Sequence, residues 1–139
     1  MKASTRRAVV LSALVGLAVL TRPAAAHHST AMFDRDKLVT ITGTVKEVQW
    51  TNPHVAIYVE AAAKSGEEPV LWVTELTSPG NLVRMGWLKT SIKVGDKVTV
   101  ELNPLRDGKK GGWLKKITLI DTGQTFTNDI FVQEKANLK

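Results

Sequence analysis

The chain holds only three histidines, His27, His28 and His54, and they are its best candidates for chemistry. Imidazole is the commonest protein ligand for late first-row metals, and nitrogen-donor sites suit Cu(II), Ni(II) and Zn(II). His27 and His28 stand together, directly after Ala24-Ala25-Ala26, and His54 follows the turn residues Asn52-Pro53. These three are read as a candidate metal set, with copper(II) as the candidate cofactor. The bland alternative is a solvated His pair and a histidine that caps a turn. Four tryptophans, Trp50, Trp72, Trp87 and Trp113, form the second group. Large amphipathic rings fill cores or, where exposed, stack on ligands. Trp50 and Trp72, with Asn52 and Glu75 beside them, are read as a candidate ligand-binding face. Two other classes of site lack their signatures. There is no Ser-His-Asp order, paired-carboxylate motif or HExxH helix, so the chain is read as a binding protein and not an enzyme. The glycine-rich stretch Gly108 to Gly112 lacks the spacing of a phosphate loop.

The elements that position these residues are read from periodicity. Val39, Ile41 and Val45 alternate with Thr40, Thr42 and Thr44, the period-two pattern of a half-buried strand over 38–45. The phase then slips, because Val48 and Trp50 are apolar at even positions. Gly43 or the step from Lys46 to Glu47 is expected to hold a bulge. Further strands are expected at 54–60, 69–76, 97–102 and 113–121. Ser78-Pro79 has the chemistry of an N-cap and first helical residue, and Gly86 that of a C-terminal glycine, so a short helix is expected over 79–85. The order β-β-β-α-β-β predicts a mainly β fold, a small five-stranded Greek-key barrel of the OB type, with one short helix between strands three and four. An open sandwich is the alternative, since pattern alone does not show closure.

The first 26 residues read differently. Lys2, Arg6 and Arg7 precede an apolar or small run over 8–20, and three alanines close the segment, the layout of a cleavable signal peptide. A run of about 13 residues is too short to cross a ~30 Å hydrocarbon layer, so no stable membrane anchor is expected after cleavage. Adjacent arginines leave twin-arginine export open beside the general route. The chain has 139 residues and a formal charge of +6, but four of its 19 basic residues lie in this leader, which has no acidic one. Residues 27–139 therefore carry 15 basic against 13 acidic side chains. That near balance removes the case for a nucleic-acid partner. The expected division is 1–26 signal peptide, 27–123 barrel and 124–139 polar C-terminal extension, with the product in the periplasm or secreted.

Several motifs together, His27-His28-Ser29, Phe33-Asp34, Gly43-Thr44-Val45, Trp50-Thr51-Asn52-Pro53-His54, Trp72 with Glu75, Ser78-Pro79, Gly86-Trp87 and Gly95-Asp96-Lys97-Val98, resemble a family of small exported bacterial proteins catalogued only as a domain of unknown function. The likeness runs from residue 27 to about 121. It implies export and an OB-like barrel, and it implies no activity.

The cut that removes the leader bears on the histidines. Cleavage after Ala26 gives His27 a free amine that chelates together with its own imidazole, and His54 would supply a third nitrogen. Cleavage after Ala25 puts His28 third in the mature chain, where an amine, two backbone nitrogens and the imidazole form a square-planar site. Both variants use the end that export creates. The alternative without metal is a module that binds a small ligand or an envelope protein near Trp50 and Trp72.

Overall fold

The computed structural model describes residues 30–62 and 64–129. A single turn of 3-10 helix at Thr30–Met32 leads into β1 (Val39–Gln49), β2 (Ala56–Ala62) and β3 (Val70–Glu75). Helix α1 (Pro79–Arg84) follows, then β4 (Lys97–Pro104), β5 (Gly111–Leu119) and β6 (Thr125–Thr127). The strands form one sheet in the order β3-β2-β1-β4-β5-β6, and β3 also pairs with β5. That pairing is parallel, joins Val73, Thr74 and Glu75 to Gly111, Gly112 and Trp113, and closes a five-stranded barrel. With the helix between strands three and four, this is the OB-like arrangement that the element order predicts.

Each strand turns alternate residues inward. Ile41 and Val45 on β1, Ile57 and Val59 on β2, Val98, Val100 and Leu102 on β4, and Leu114 and Ile117 on β5 are all buried in one core. Burying side chains of this size stabilises by roughly 1.5–3 kcal/mol each, against which chain entropy must be set. The phase slip in β1 falls between Val45 and Glu47, and the pairing with β2 and β4 runs straight through Gly43. Gly43 serves close approach instead. A Cβ there would stand 2.1 Å from the Glu60 carbonyl oxygen on β2. At the closure, a Cβ on Gly112 would lie 2.2 Å from the Asn103 carbonyl oxygen.

Helix α1 forms where its caps demand. Ser78 accepts a hydrogen bond at 3.4 Å from the Asn81 backbone N–H, Pro79 opens the helix, and Gly86 leaves it at φ +90°. Leu82 is the face that the helix buries. Beyond Gly123, where a polar extension was expected, the sheet goes on. β6 pairs with Lys116, Ile117 and Thr118, and Phe126 packs on Trp87 with ring centroids 4.9 Å apart. The Trp87 indole N–H donates to the Thr127 carbonyl at 2.8 Å. Among the described residues, no helix is long and apolar enough to cross a membrane.

Candidate functional site

Register brings four strands together at one mouth of the barrel. Ala56 pairs with Glu75, Glu75 with Trp113, and Trp113 with Asn103. This row crosses β2, β3, β5 and β4. The chain just ahead of β2 continues its pairing, since Val55 donates to the Thr77 carbonyl and accepts from the Leu76 N–H. His54 thus stands diagonally across from Glu75, on the same face of the ladder. Its Nδ1 meets the Glu75 Oε1 in a hydrogen bond. Both side chains are partly shielded, 31 % and 25 % exposed, so the pair sits at the edge of solvent and not in the core.

Aromatic rings build outward from this pair. The His54 ring meets that of Trp113 edge-on, with centroids 5.7 Å apart and planes at 80°. Phe33 packs on Trp113 at 5.7 Å and 50°. Phe33 itself is held by a bridge to Leu105 beyond the end of β4. The neighbouring Asp34 fixes the same segment, donating its N–H to the Pro104 carbonyl and pairing its carboxylate with Lys37 at 3.2 Å and Arg106 at 3.7 Å. Partial burial works to raise the Asp34 pKa, but the Lys37 and Arg106 charges outweigh it and hold the carboxyl below its ordinary value.

These groups border a cleft of about 530 Å³. Phe33, Leu38 and Trp113 give it apolar walls, and Thr77, Asn103 and Asn128 are its inner polar residues. The two asparagines are committed within the fold. Asn103 donates to the Lys37 carbonyl at 2.7 Å, while Asn128 donates to the Leu114 carbonyl at 3.0 Å and accepts from the Thr77 N–H at 3.2 Å. The rim is charged on both sides, with Arg35, Lys37 and Lys115 against Asp36 and Asp129. Lys115 and Asp129 pair at 3.6 Å.

A model of a family of unknown function, DUF6152, matches residues 13–115. The chain belongs to that family. The match spans the barrel from its first strand to Lys115 and also takes in part of the expected leader. No curated protein and no solved structure matches the chain. The family therefore supplies no activity, and the chemistry has to be read from the site.

Of the residues singled out in the sequence, His54 and Glu75 come together, although they were assigned to two different sites. His27 and His28, like the leader, lie outside the described residues. Asn52 is exposed in the turn before His54, and the Asn52-Pro53 peptide bond is cis. Trp50 is half-buried against the barrel core. Trp72 departs most from expectation. It shares its parity on β3 with Thr74 and points inward, 4 % exposed, so it borders no open face. Among the described residues its buried indole N–H has no hydrogen-bond partner, and Lys110 lies over the ring at 5.3 Å. The tryptophan at the cleft is Trp113 instead. Its signal was the run Gly111-Gly112-Trp113: two residues without side chains let β5 approach β3 and β4 closely, and the next carries a large ring. Among the described residues, no group of three or more His, Cys, Asp and Glu side chains gathers. A metal centre at His54 would need ligands from the segment ahead of Thr30.

Proposed function

We propose that this chain is an exported, non-catalytic binding protein that takes a copper(II) ion at the barrel mouth, with His54 as one ligand and His27 or His28 completing the site. The observation that carries this reading is the hydrogen bond between His54 Nδ1 and Glu75 Oε1. Metal-binding histidines regularly donate one ring N–H to a carboxylate, which fixes the tautomer, orients the ring and strengthens the lone pair on the other nitrogen. The tautomer that donates Nδ1–H to Glu75 carries its lone pair on Nε2. The N-terminal histidines have the reach. The Phe33 and His54 rings each lie 5.7 Å from that of Trp113, so they stand within about twice that distance of each other. From His28 the chain covers up to about 7 Å in two extended residues to Thr30, and the 3-10 turn and the step to Phe33 add about 2 Å per residue, about 13 Å in all.

The test begins with protein exported by a host and purified without chelators, whose intact mass gives the new N terminus. Titration with Cu(II) is expected to show one equivalent bound, with a d–d band and nitrogen hyperfine structure. His54→Ala and His27→Ala should each weaken binding at least tenfold. Absence of both the band and calorimetric heat would end the copper reading.

The cleft favours a second reading, a module that takes a small ligand or a protein and needs no metal. With Trp72 in the core, the aromatic face moves from Trp50 and Trp72 to Trp113 and Phe33. Binding of this kind would shift the Trp113 indole signal in metal-free protein and would not strengthen on adding Cu(II).

A further inference from the structure

Residues 34–37 run along the cleft as one pinned turn. The Asp34 N–H donates to the Pro104 carbonyl at 2.8 Å, and the Lys37 N–H closes the turn on the Asp34 carbonyl at 3.2 Å. Asn103 donates to the Lys37 carbonyl at 2.7 Å. Arg35 and Asp36 are the two central residues of this turn, and both border the cleft. The other rim charges are spent on partners within the fold, Lys37 on Asp34 at 3.2 Å and Lys115 on Asp129 at 3.6 Å. Among the described residues, Arg35 and Asp36 make no ion pair. The rim thus offers one uncommitted cation and one uncommitted anion, adjacent on a held backbone. Beside them stands an apolar wall, in which Leu38 is 59 % exposed and Trp113 is half-buried.

We infer that the ligand of the cleft, on the metal-free reading on which this inference rests, is a free aromatic amino acid. Its carboxylate meets Arg35, its ammonium meets Asp36, and its ring lies against Trp113 and Leu38. The paired charges select the class. A carboxylate alone would approach Arg35 with Asp36 beside it, and an ammonium alone would meet the reverse conflict. A group that carries both charges on one carbon answers both at once. The guanidinium fork suits a carboxylate through two parallel hydrogen bonds. The polarity of the site also sets which end goes in. Asn103 and Asn128 are satisfied within the fold, so the interior asks for no polar group and takes the ring. Covering Leu38 and Trp113 gains free energy in proportion to area, and an aromatic ring adds an offset or edge contact with the indole. A cleft of about 530 Å³ has the size of a small-molecule site. Because the turn is already pinned, binding orders little backbone.

The test uses metal-free protein at low ionic strength, where exposed charges are least screened. The Trp113 indole signal is followed while L-phenylalanine, 3-phenylpropionate, phenethylamine and benzyl alcohol are added in separate titrations. L-phenylalanine is expected to bind about threefold or more tightly than each of the others, as exposed ion pairs allow, and to lose that advantage in high salt. Arg35→Gln should weaken L-phenylalanine by about threefold without weakening phenethylamine, and Asp36→Asn should weaken it similarly without weakening 3-phenylpropionate. Both residues are exposed, so neither change threatens the fold. Equal affinity for all four compounds would overturn the inference and leave the metal-free reading in place. N-acetyl-L-phenylalaninamide bound as tightly as L-phenylalanine would also overturn it, since the ligand would then be a chain segment of another protein. No response of Trp113 to any of these compounds would remove the small-ligand reading itself, and the inference with it.

Discussion

Asn128→Ala tests whether the last described residues are an integral part of the barrel. Asn128 is 1 % exposed, and its side chain bridges the chain just past β3 to β5. It accepts from the Thr77 N–H at 3.2 Å and donates to the Leu114 carbonyl at 3.0 Å. Alanine removes both bonds and leaves a donor and an acceptor behind in a site with little access to water. A buried group stranded in this way costs about 1–3 kcal/mol. Two of them give about 2–6 kcal/mol, and the cleft beside Asn128 admits water that moves the value toward the lower half, about 2–4 kcal/mol. Domains of this size have stabilities of about 5–15 kcal/mol, so the loss is a large fraction of the whole. Urea denaturation at equilibrium is the assay, with the midpoint expected to fall while the slope stays constant. Asn128→Asp should retain the acceptor for Thr77 but lose the donor and bury a charge, and so should destabilise as well. A loss below about 0.5 kcal/mol, the range of ordinary surface substitutions, would refute the argument that this residue clamps β6 and the end of β3 together.

Three further outcomes follow from the same geometry. Glu75→Ala should lower Cu(II) affinity about 10–100-fold, since it removes the group that orients His54 without removing a ligand, and a competition titration on processed protein measures it. Gly112→Ala should destabilise by about 1–3 kcal/mol in urea, because its Cβ meets the Asn103 carbonyl at a point where two paired strands cannot both give way, whereas Gly80→Ala, in open space, should have no such steric cost. The Asp34 carboxyl is held below its ordinary pKa, chiefly against the opposing effect of burial, by Lys37 and Arg106, so its stabilising contribution is complete above about pH 4 and disappears as the pH falls through its lowered value. Asp34→Asn should therefore flatten the acid limb of a plot of stability against pH below about 4, and an unchanged limb would count against the pairing.

The sequence makes the barrel legible because local chemistry and global fold agree over most of it. Alternation in 39–45, 55–59 and 98–102 marks strands that bury one face, and Ser78-Pro79 with Gly86 brackets the helix. The bulge was narrowed to two places, and the close strand contacts of Gly43 explain why its glycine has a different purpose. The expectation of Trp72 on an open face fails because Val70, Leu71, Trp72 and Val73 are all apolar, and a continuous run carries no parity from which to choose a face. β6 was missed for a related reason. Thr125, Phe126 and Thr127 hold one apolar residue, and their strand exists through pairing with β5 and the contact of Phe126 with Trp87. His54 and Glu75 were each visible as reactive types, but 21 positions separate them, and only the register of Ala56 with Glu75 makes them neighbours.

The location of the site follows from how the barrel closes. β3 and β5 share only three residue pairs, and of the two glycines that open β5, Gly111 lets it come close to Val73 on β3 and Gly112 to Asn103 on β4. Past Glu75 the chain leaves for α1, and β5 turns its further edge to β6. The mouth at this end is therefore completed by other parts of the chain. Residues 33 to 38 cross from one side, pinned by Asp34 and Asn103, and β6 with Asn128 closes in from the other. Both ends of the described chain converge on His54, Trp113 and the cleft between them as a consequence of that short closure. Residues 33 to 38 and Asn128 with Asp129 thus frame one histidine from opposite ends of the described chain. A barrel with a longer pairing of β3 and β5 would have sealed the mouth with its own strands and left no cleft there for either segment to line.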